Sequence, residues 1–487
     1  MRAFGLMFRC DAAVLLALAA YLFAATAAAT ELKATDRAAA PRTDAALSAA
    51  DSEKKSPPNI VLILTDDQRF DTIAALGNRE IRTPRIDRLV ERGFAFTNAY
   101  IMGGTQPAVC VPSRAMLHSG LGLWRARDDL QGQTTLGEVL RGAGYATYAV
   151  GKWHNKAPSL IRGYDKARAI FLGGMSDQYR VPLRDLTDEG KLSEPRIVER
   201  HSTELFCDAA IELLGAHRGP KPFFLYLALT SPHDPRTAPA EFARMYDRTK
   251  IELPKNFLPE HPFDNGELRI RDELLAPFPR PADEIRRHIA DYYAMISHLD
   301  HEIGRVLDAL DASGCGKNTI VIFAGDNGLA VGQHGLMGKQ NLYEHSIRVP
   351  LIVAGSGIRT GRSDSPVYLH DLFATVCDWA GAKTPQCDAE SLRSLIDGTS
   401  TEGRKQIVAG YRQWQRAVRQ GQFKLIEYRV QGARYTQLFD LAADPWEMEN
   451  LAPRPEHAQR IAQMRTLLAD ELRKAGDPVE FPLDAAD

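Results

Sequence analysis

No basic stripe or tail runs through this sequence, and its charges nearly cancel: 60 Lys and Arg stand against 62 Asp and Glu, a formal net charge of -2. That excludes nucleic acid as an expected partner, because a polyphosphate backbone is met by a concentrated basic face. An anionic substrate must therefore find a local basic pocket and not a global field. Internal repeats and heptads are also missing, which excludes solenoids and coiled coils. No apolar run reaches the length of about 20 residues that a stable membrane span needs. The run from about Ala12 to Ala25 falls short of it, follows Arg2 and Arg9, and ends in Ala27-Ala28-Ala29. Residues 1–29 thus read as a secretory signal peptide, with a retained N-terminal anchor as the alternative. No cysteine lies just after the run to carry a lipid. Residues 30–57, rich in Ala, Thr, Ser, Asp and Lys without an apolar period, read as a flexible leader. The expected location is outside the cytoplasm: periplasmic or extracellular, or a lysosome-like compartment in a eukaryote.

Cysteine is scarce, with six in 487 residues. Cys10 belongs to the signal segment and Cys110 to a motif discussed below. Cys207, Cys315, Cys377 and Cys387 remain. Cys377 and Cys387 are close enough for a short-loop disulfide, and buried free thiols account for them equally well.

What the chain does have is enough apolar residue, 44%, for a sizeable core. Asn59–Leu64 is a continuous apolar run, as expected of a strand buried on both faces of a parallel sheet. Thr83-Pro84 reads as the cap and first turn of a helix that ends at Gly93. Helices over about 135–141, 203–216 and 283–311 precede strands at 146–150, 223–229 and 319–324, and the strand 351–354 precedes a helix near 370–379. This alternation predicts an α/β doubly wound, mostly parallel sheet for residues 58–400. From about residue 401 short strands at 406–408, 423–427 and 435–439, then a helical period over 455–474, predict a smaller C-terminal α+β subdomain spanning 401–487. Residues 236–282, rich in proline and charge, read as a long surface excursion that shapes a substrate pocket.

Asp66-Asp67, Lys152 to His154, His233 and Asp326-Asn327 all fall just after these strands, on the sheet edge where ligands bind in such folds. Asp66, Asp67, Asp326 and Asn327 offer hard oxygen donors, and no His or Cys cluster accompanies them. That favours Ca²⁺ or Mg²⁺ over zinc. Lys152 and His154, alternating across a strand end, are expected to face one side. Arg114 lies one helical turn after Cys110 and can reach back over the same end.

Cys110-Val111-Pro112-Ser113-Arg114, followed by Ala115 to Gly120, resembles the signature of the type I sulfatases of the alkaline-phosphatase-like superfamily. Asp66-Asp67, Gly151-Lys152-Trp153-His154, Ser231-Pro232-His233, Gly325-Asp326-Asn327-Gly328 and Gly338-Lys339 follow that family's motifs in order. Leu438 to Leu441, Asp444-Pro445 and Glu449-Asn450-Leu451 resemble its closing motif. The resemblance implies that a maturation enzyme converts Cys110 to formylglycine, and that this residue joins Asp66, Asp67, Asp326 and Asn327 at a calcium ion, magnesium being possible. The hydrated aldehyde would offer two hydroxyls, one to attack sulfur and one to release the covalent sulfo-enzyme intermediate, an exit a plain serine ester lacks. It further implies that Arg114 stabilises the formylglycine, Lys152 and Lys339 bind sulfate, His154 orients the hydroxyl or acts as base, and His233 contacts sulfate and protonates the leaving oxygen. The implied substrate is a sulfate monoester, on a carbohydrate for an exported enzyme of this length. Two other readings stand beside it: a phosphate or phosphonate hydrolase on the related fold, and a glycan-binding relative with Cys110 unmodified. Gln333 and His334 are open as substrate contacts, and Tyr411 to Trp414 either stack on a sugar or pack the small sheet.

Overall fold

Asn59–Thr65 consists of seven buried residues, and it lies near the middle of a nine-stranded sheet. The description rests on a computed structural model covering residues 56–481; residues 1–29, and all but the last two of the 30–57 leader, lie outside the described residues. Thr319–Gly325 and Phe223–Ala228 flank the Asn59 strand in parallel. Ala146–Lys152 and Lys166–Phe171 continue the parallel order beyond Phe223. On the other side Arg348–Gly355 runs antiparallel between Thr319 and Gly93–Tyr100. Gly361–Ser363 and Val367–Tyr368 pair in parallel with the Gly93 strand. One strand is thus reversed in an otherwise parallel sheet, the doubly wound α/β arrangement that the sequence predicts.

The continuous apolar run has a physical reason. Successive strand residues point to opposite faces, so Ile60, Leu62 and Leu64 enter one core and Val61 and Ile63 the other. Helices Cys110–Ser119, Leu136–Gly142 and Asp371–Ala380 cover the first face; Pro84–Arg92, Ser202–Ala216 and Ala282–Ala312 cover the second. None of the described helices is long and apolar enough to cross a membrane.

One local expectation is corrected, two strands are added, and one open alternative is decided. Thr83 does not cap its helix through its side chain; the free N–H groups of Arg85 and Ile86 donate to the Asp300 carboxylate of the long helix, at 2.7–3.1 Å. A tertiary carboxylate thus replaces the local cap. The Gly93 and Lys166 strands are absent from the sequence reading, because Gly93 opens a strand with no loop after the helix and the Lys166 strand sits at the sheet edge. Cys377 and Cys387 do not pair: all five described cysteines are free thiols.

A second sheet runs antiparallel through Gln406–Tyr411, Gln415–Gln420, Phe423–Val430 and Ala433–Asp440, with helix Ala458–Ala475 packed on it. The two-residue strand Gly103–Gly104, just ahead of Cys110, joins this sheet beside Gln406–Tyr411. Buried Lys424 holds the two sheets together, its Nζ 3.0 Å from Glu344 and 2.7 Å from Glu447. Glu344 also accepts from the Tyr100 hydroxyl at 2.7 Å and lies 3.7 Å from Arg348, a structural pairing. Replacing Lys424 by alanine leaves two buried carboxylates facing each other. A loss of about 3–5 kcal/mol is expected, read as a lower midpoint in urea unfolding; an unmoved midpoint would refute the joint.

Candidate active site

Thr65 and Gly325 are register partners on adjacent parallel strands, so Asp66, Asp67, Asp326 and Asn327 emerge together at one edge. The Ala146 strand delivers Lys152 to that edge, and the Phe223 strand leads to His233. Asp66 N–H donates to Ser231 O at 3.2 Å, fixing the His233 turn against the aspartates. Cys110 is the first residue of a fully buried helix whose amino end faces these groups.

Cys110 Sγ lies 3.2 Å from His154 Nδ1 and 3.8 Å from both Lys152 Nζ and Lys339 Nζ. Lys152 is ion-paired with Asp66, and Lys339 with Asp67 at 2.6 Å. Arg114 forks onto Asp326 at 2.9 Å and donates to Lys152 O and the Tyr226 hydroxyl. Asn327 Nδ2 donates to Asp67 at 2.7 Å. His233 Nδ1 donates to Asp234 O at 2.7 Å, which leaves Nε2 3.6 Å from Asp67. The residues that the family resemblance assigns to catalysis and to the metal therefore meet in one cluster.

Burial sets the protonation pattern. It pushes the Cys110 thiol up to about 11 despite Lys152 and Lys339, so the encoded group is neutral near pH 7. It drives His154 down to about 2, helped by Lys152, which leaves the imidazole neutral. Asp326 rises to about 7 through burial and the charge of Asp66. Burial also opposes the Asp66 carboxylate, but Lys152 foremost, then His233, Arg114 and Lys339, hold it well below the usual range.

Asp66 Oδ1 and Asn327 Oδ1 are sealed from solvent with no hydrogen-bond partner among the described residues. Asp66, Cys110 and Asp326 present ligand atoms within 4.8 Å of one another. Orphaned hard oxygens beside a carboxylate pair fit a Ca²⁺ or Mg²⁺ ion. A neutral thiol does not suit a hard cation, and an oxygen-bearing derivative of Cys110 would. A second group, Asp67, His233 and Asp234, was not read from the sequence. Its carboxylates are already engaged, Asp67 by Lys339 and Asp234 by Arg271.

Several expectations are refined. Lys152 and His154 do converge, but strand alternation is not the cause. Gly151 and His154 both take positive φ, 91° and 65°, and the turn between them brings His154 back over Cys110. A Cβ at Gly151 would stand 1.9 Å from Ala228 O, so only glycine allows this close approach. Gln333 and His334 do not join the cluster: Gln333 accepts from Val331 N–H, and His334 stacks on Tyr343 at 3.9 Å. Tyr411 is buried and donates to Glu267, while Trp414 packs over Gly266, so this stretch packs the small sheet. The excursion 236–282 does shape the pocket, since Ile270, Arg271 and Asp272 line a cavity of about 250 Å³ over Cys110.

Gly174 carried no sequence signal, yet its carbonyl accepts from Lys152 Nζ at 2.7 Å and its α-carbon faces His154. An added Cβ would meet His154 Nε2 at 2.6 Å. Gly174→Ala is expected to displace the imidazole and cut kcat by about 100-fold with the fold retained, judged by hydrolysis kinetics beside a thermal melt. Unchanged kcat would remove His154 from the chemistry.

The doubly wound sheet, with carboxylates, lysines and histidines gathered at one edge around a buried helix-start residue, is consistent with the alkaline-phosphatase-like superfamily. Within that superfamily the chain belongs to the sulfatase family, hydrolases of sulfate esters: the family description "Sulfatase" matches residues 58–382, and "N-sulphoglucosamine sulphohydrolase, C-terminal" matches residues 332–474. It is 27% identical to an N-acetylglucosamine-6-O-sulfatase of Bacteroides thetaiotaomicron, over 88% of this chain and 89% of that protein. It is 28% identical to a choline-sulfatase of Rhizobium meliloti, over 82% and 83% of the two. The fold is shared with BT4656, solved in complex with its substrate D-glucosamine-2-N,6-O-disulfate, at a TM-score of 0.75 and 24% identity over 88% of this chain and all of that one.

Proposed function

We propose that the enzyme hydrolyses a sulfate monoester on a carbohydrate, with Cys110 matured to formylglycine and a calcium ion, or magnesium, held by Asp66, Asp67, Asp326, Asn327 and residue 110 itself. The observation that carries this reading is the setting of Cys110 Sγ, within 3.8 Å of two lysine ammoniums and beside an acidic cluster with orphaned oxygens. Lysines so placed serve an incoming anion, and carboxylates serve a cation.

When present, the aldehyde hydrate supplies the attacking hydroxyl and a second hydroxyl for sulfate release from the covalent sulfo-enzyme, and the ion supplies Lewis acidity. Lys152 and Lys339 bind the sulfate oxygens and offset the charge that grows on them. His154, held neutral, accepts a proton at Nδ1 from the group on residue 110. His233 has its Nδ1–H committed to the Asp234 carbonyl, so Nε2 faces the cavity, and the ring protonated on both nitrogens donates its Nε2 proton to the departing alcohol oxygen. Arg114 holds Asp326 in place and opposes the burial that favours its neutral form. Residues 58–400 carry this chemistry, and the described part of the C-terminal subdomain, residues 401–481, braces the approach to Cys110. The signal-like residues 1–29 support export to the periplasm or beyond. The sugar assignment draws on what the similar N-acetylglucosamine-6-O-sulfatase is named for.

Mass spectrometry of the tryptic peptide 93–114 from native material tests the core of this reading. A species in which an aldehyde oxygen replaces the thiol, reactive toward hydrazide, is expected. A wholly unmodified peptide in active material would overturn it.

A further inference from the structure

The cavity over Cys110 opens outward. Ala108, His154 and Gly174 line both it and a wider chamber of about 670 Å³, a size that takes a whole small-molecule ligand. The chamber is where the part of the substrate bearing the sulfate would lie. Among the described residues no Phe, Tyr or Trp ring lines it. A quaternary ammonium such as choline is recognised on aromatic faces, and an aryl group gains most from stacking; neither finds a ring here.

The chamber's polar wall is specific. Arg127 is committed to Asp129 at 3.0 Å. Asp128 is half-buried; its Oδ2 accepts from Gln106 Nε2, and its Oδ1 takes no hydrogen bond from the described residues. Buried Asn155, next to His154, donates to Asp128 O at 2.7 Å and to Val111 O at 3.3 Å. Asp128 is thereby tied through one side chain to the residue after Cys110. Its position relative to the reacting centre is set by packed backbone, the condition for precise recognition.

We infer that Asp128, oriented by Gln106 and Asn155, is the specificity-determining residue for the leaving group, its open oxygen accepting hydrogen bonds from the hydroxyls of a sugar. This rests on the carbohydrate-sulfate reading above. Hydroxyl donors offset the cost of keeping a carboxylate in a partly dry wall.

The test compares the matured wild type with Asp128→Asn, Asp128→Ala and Gln106→Ala. The substrates are a panel of hexose and hexosamine monosulfates substituted at O2, O3, O4 or O6, with 4-nitrophenyl sulfate and choline sulfate. The ratio of kcat/KM on the preferred sugar sulfate to that on 4-nitrophenyl sulfate is expected to fall roughly 10- to 100-fold in the Asp128 variants and less in Gln106→Ala. Sugar-sulfate turnover whose ratio does not move in either Asp128 variant overturns this inference alone. A wild type that cleaves aryl or choline sulfate and no sugar sulfate overturns the carbohydrate reading, and this inference with it.

Discussion

Replacing Cys110 by alanine is expected to abolish turnover, by on the order of 100,000-fold, while the protein stays folded. Among the described residues, residue 110 is the position placed against both lysines and His154, so no neighbouring group is set to take over bond formation to sulfur. The side chain is 1% exposed and small, and losing its sulfur costs about 1 kcal/mol of buried apolar contact, well within the stability of a domain this size. Assay of 4-nitrophenyl sulfate hydrolysis beside circular-dichroism melting checks both halves. Normal activity would refute the nucleophile assignment. Cys110→Ser sharpens the point, because serine supplies one hydroxyl and no second. That variant is expected to accumulate sulfated protein and stop after a single turnover, as intact-mass measurement would show. Steady multiple turnover by it would contradict the two-hydroxyl argument.

Asp326→Ala is expected to act twice. Asp326 belongs to the carboxylate group with Asp66 and Cys110, so calcium affinity should fall by about 100-fold or more, measured by titration calorimetry. It is also the ion partner of Arg114, both side chains being fully buried. Without it the guanidinium keeps only Lys152 O and the Tyr226 hydroxyl, and leaving a buried charge unpaired costs about 3–5 kcal/mol. Asp326→Asn keeps the shape and separates the two effects: its melting temperature should lie between wild type and Asp326→Ala, with calcium affinity still reduced. An unchanged calcium titration in both would remove Asp326 from the metal site.

Much of this site was legible along the chain. Asp66-Asp67 and Asp326-Asn327 follow continuous apolar runs, and a run of that kind ends at the edge of a parallel sheet wherever it sits in the fold. Cys110 opens its helix because Pro112 and Ser113 suit a first turn. Legibility failed where the contact is purely spatial. Asp234 and Arg271 are 37 residues apart and meet only because the proline-rich excursion folds back over His233. Gly174 carries no local signal, yet it must lack a Cβ because His154 lies against it. His334, next to a motif in sequence, points into the joint between the sheets and stacks there on Tyr343.

The sequence by itself determined the strand and helix alternation, the sheet edge that carries the chemistry and the residue types gathered there, because each is written in local periodicity and in the polar residues that punctuate it. Only the tertiary structure decided which ammonium faces which carboxylate, which buried oxygens are left without partners, and which chamber lies beside Cys110. Those depend on strand order and register between segments as much as 272 residues apart, such as Asp67 and Lys339, and no local pattern encodes them.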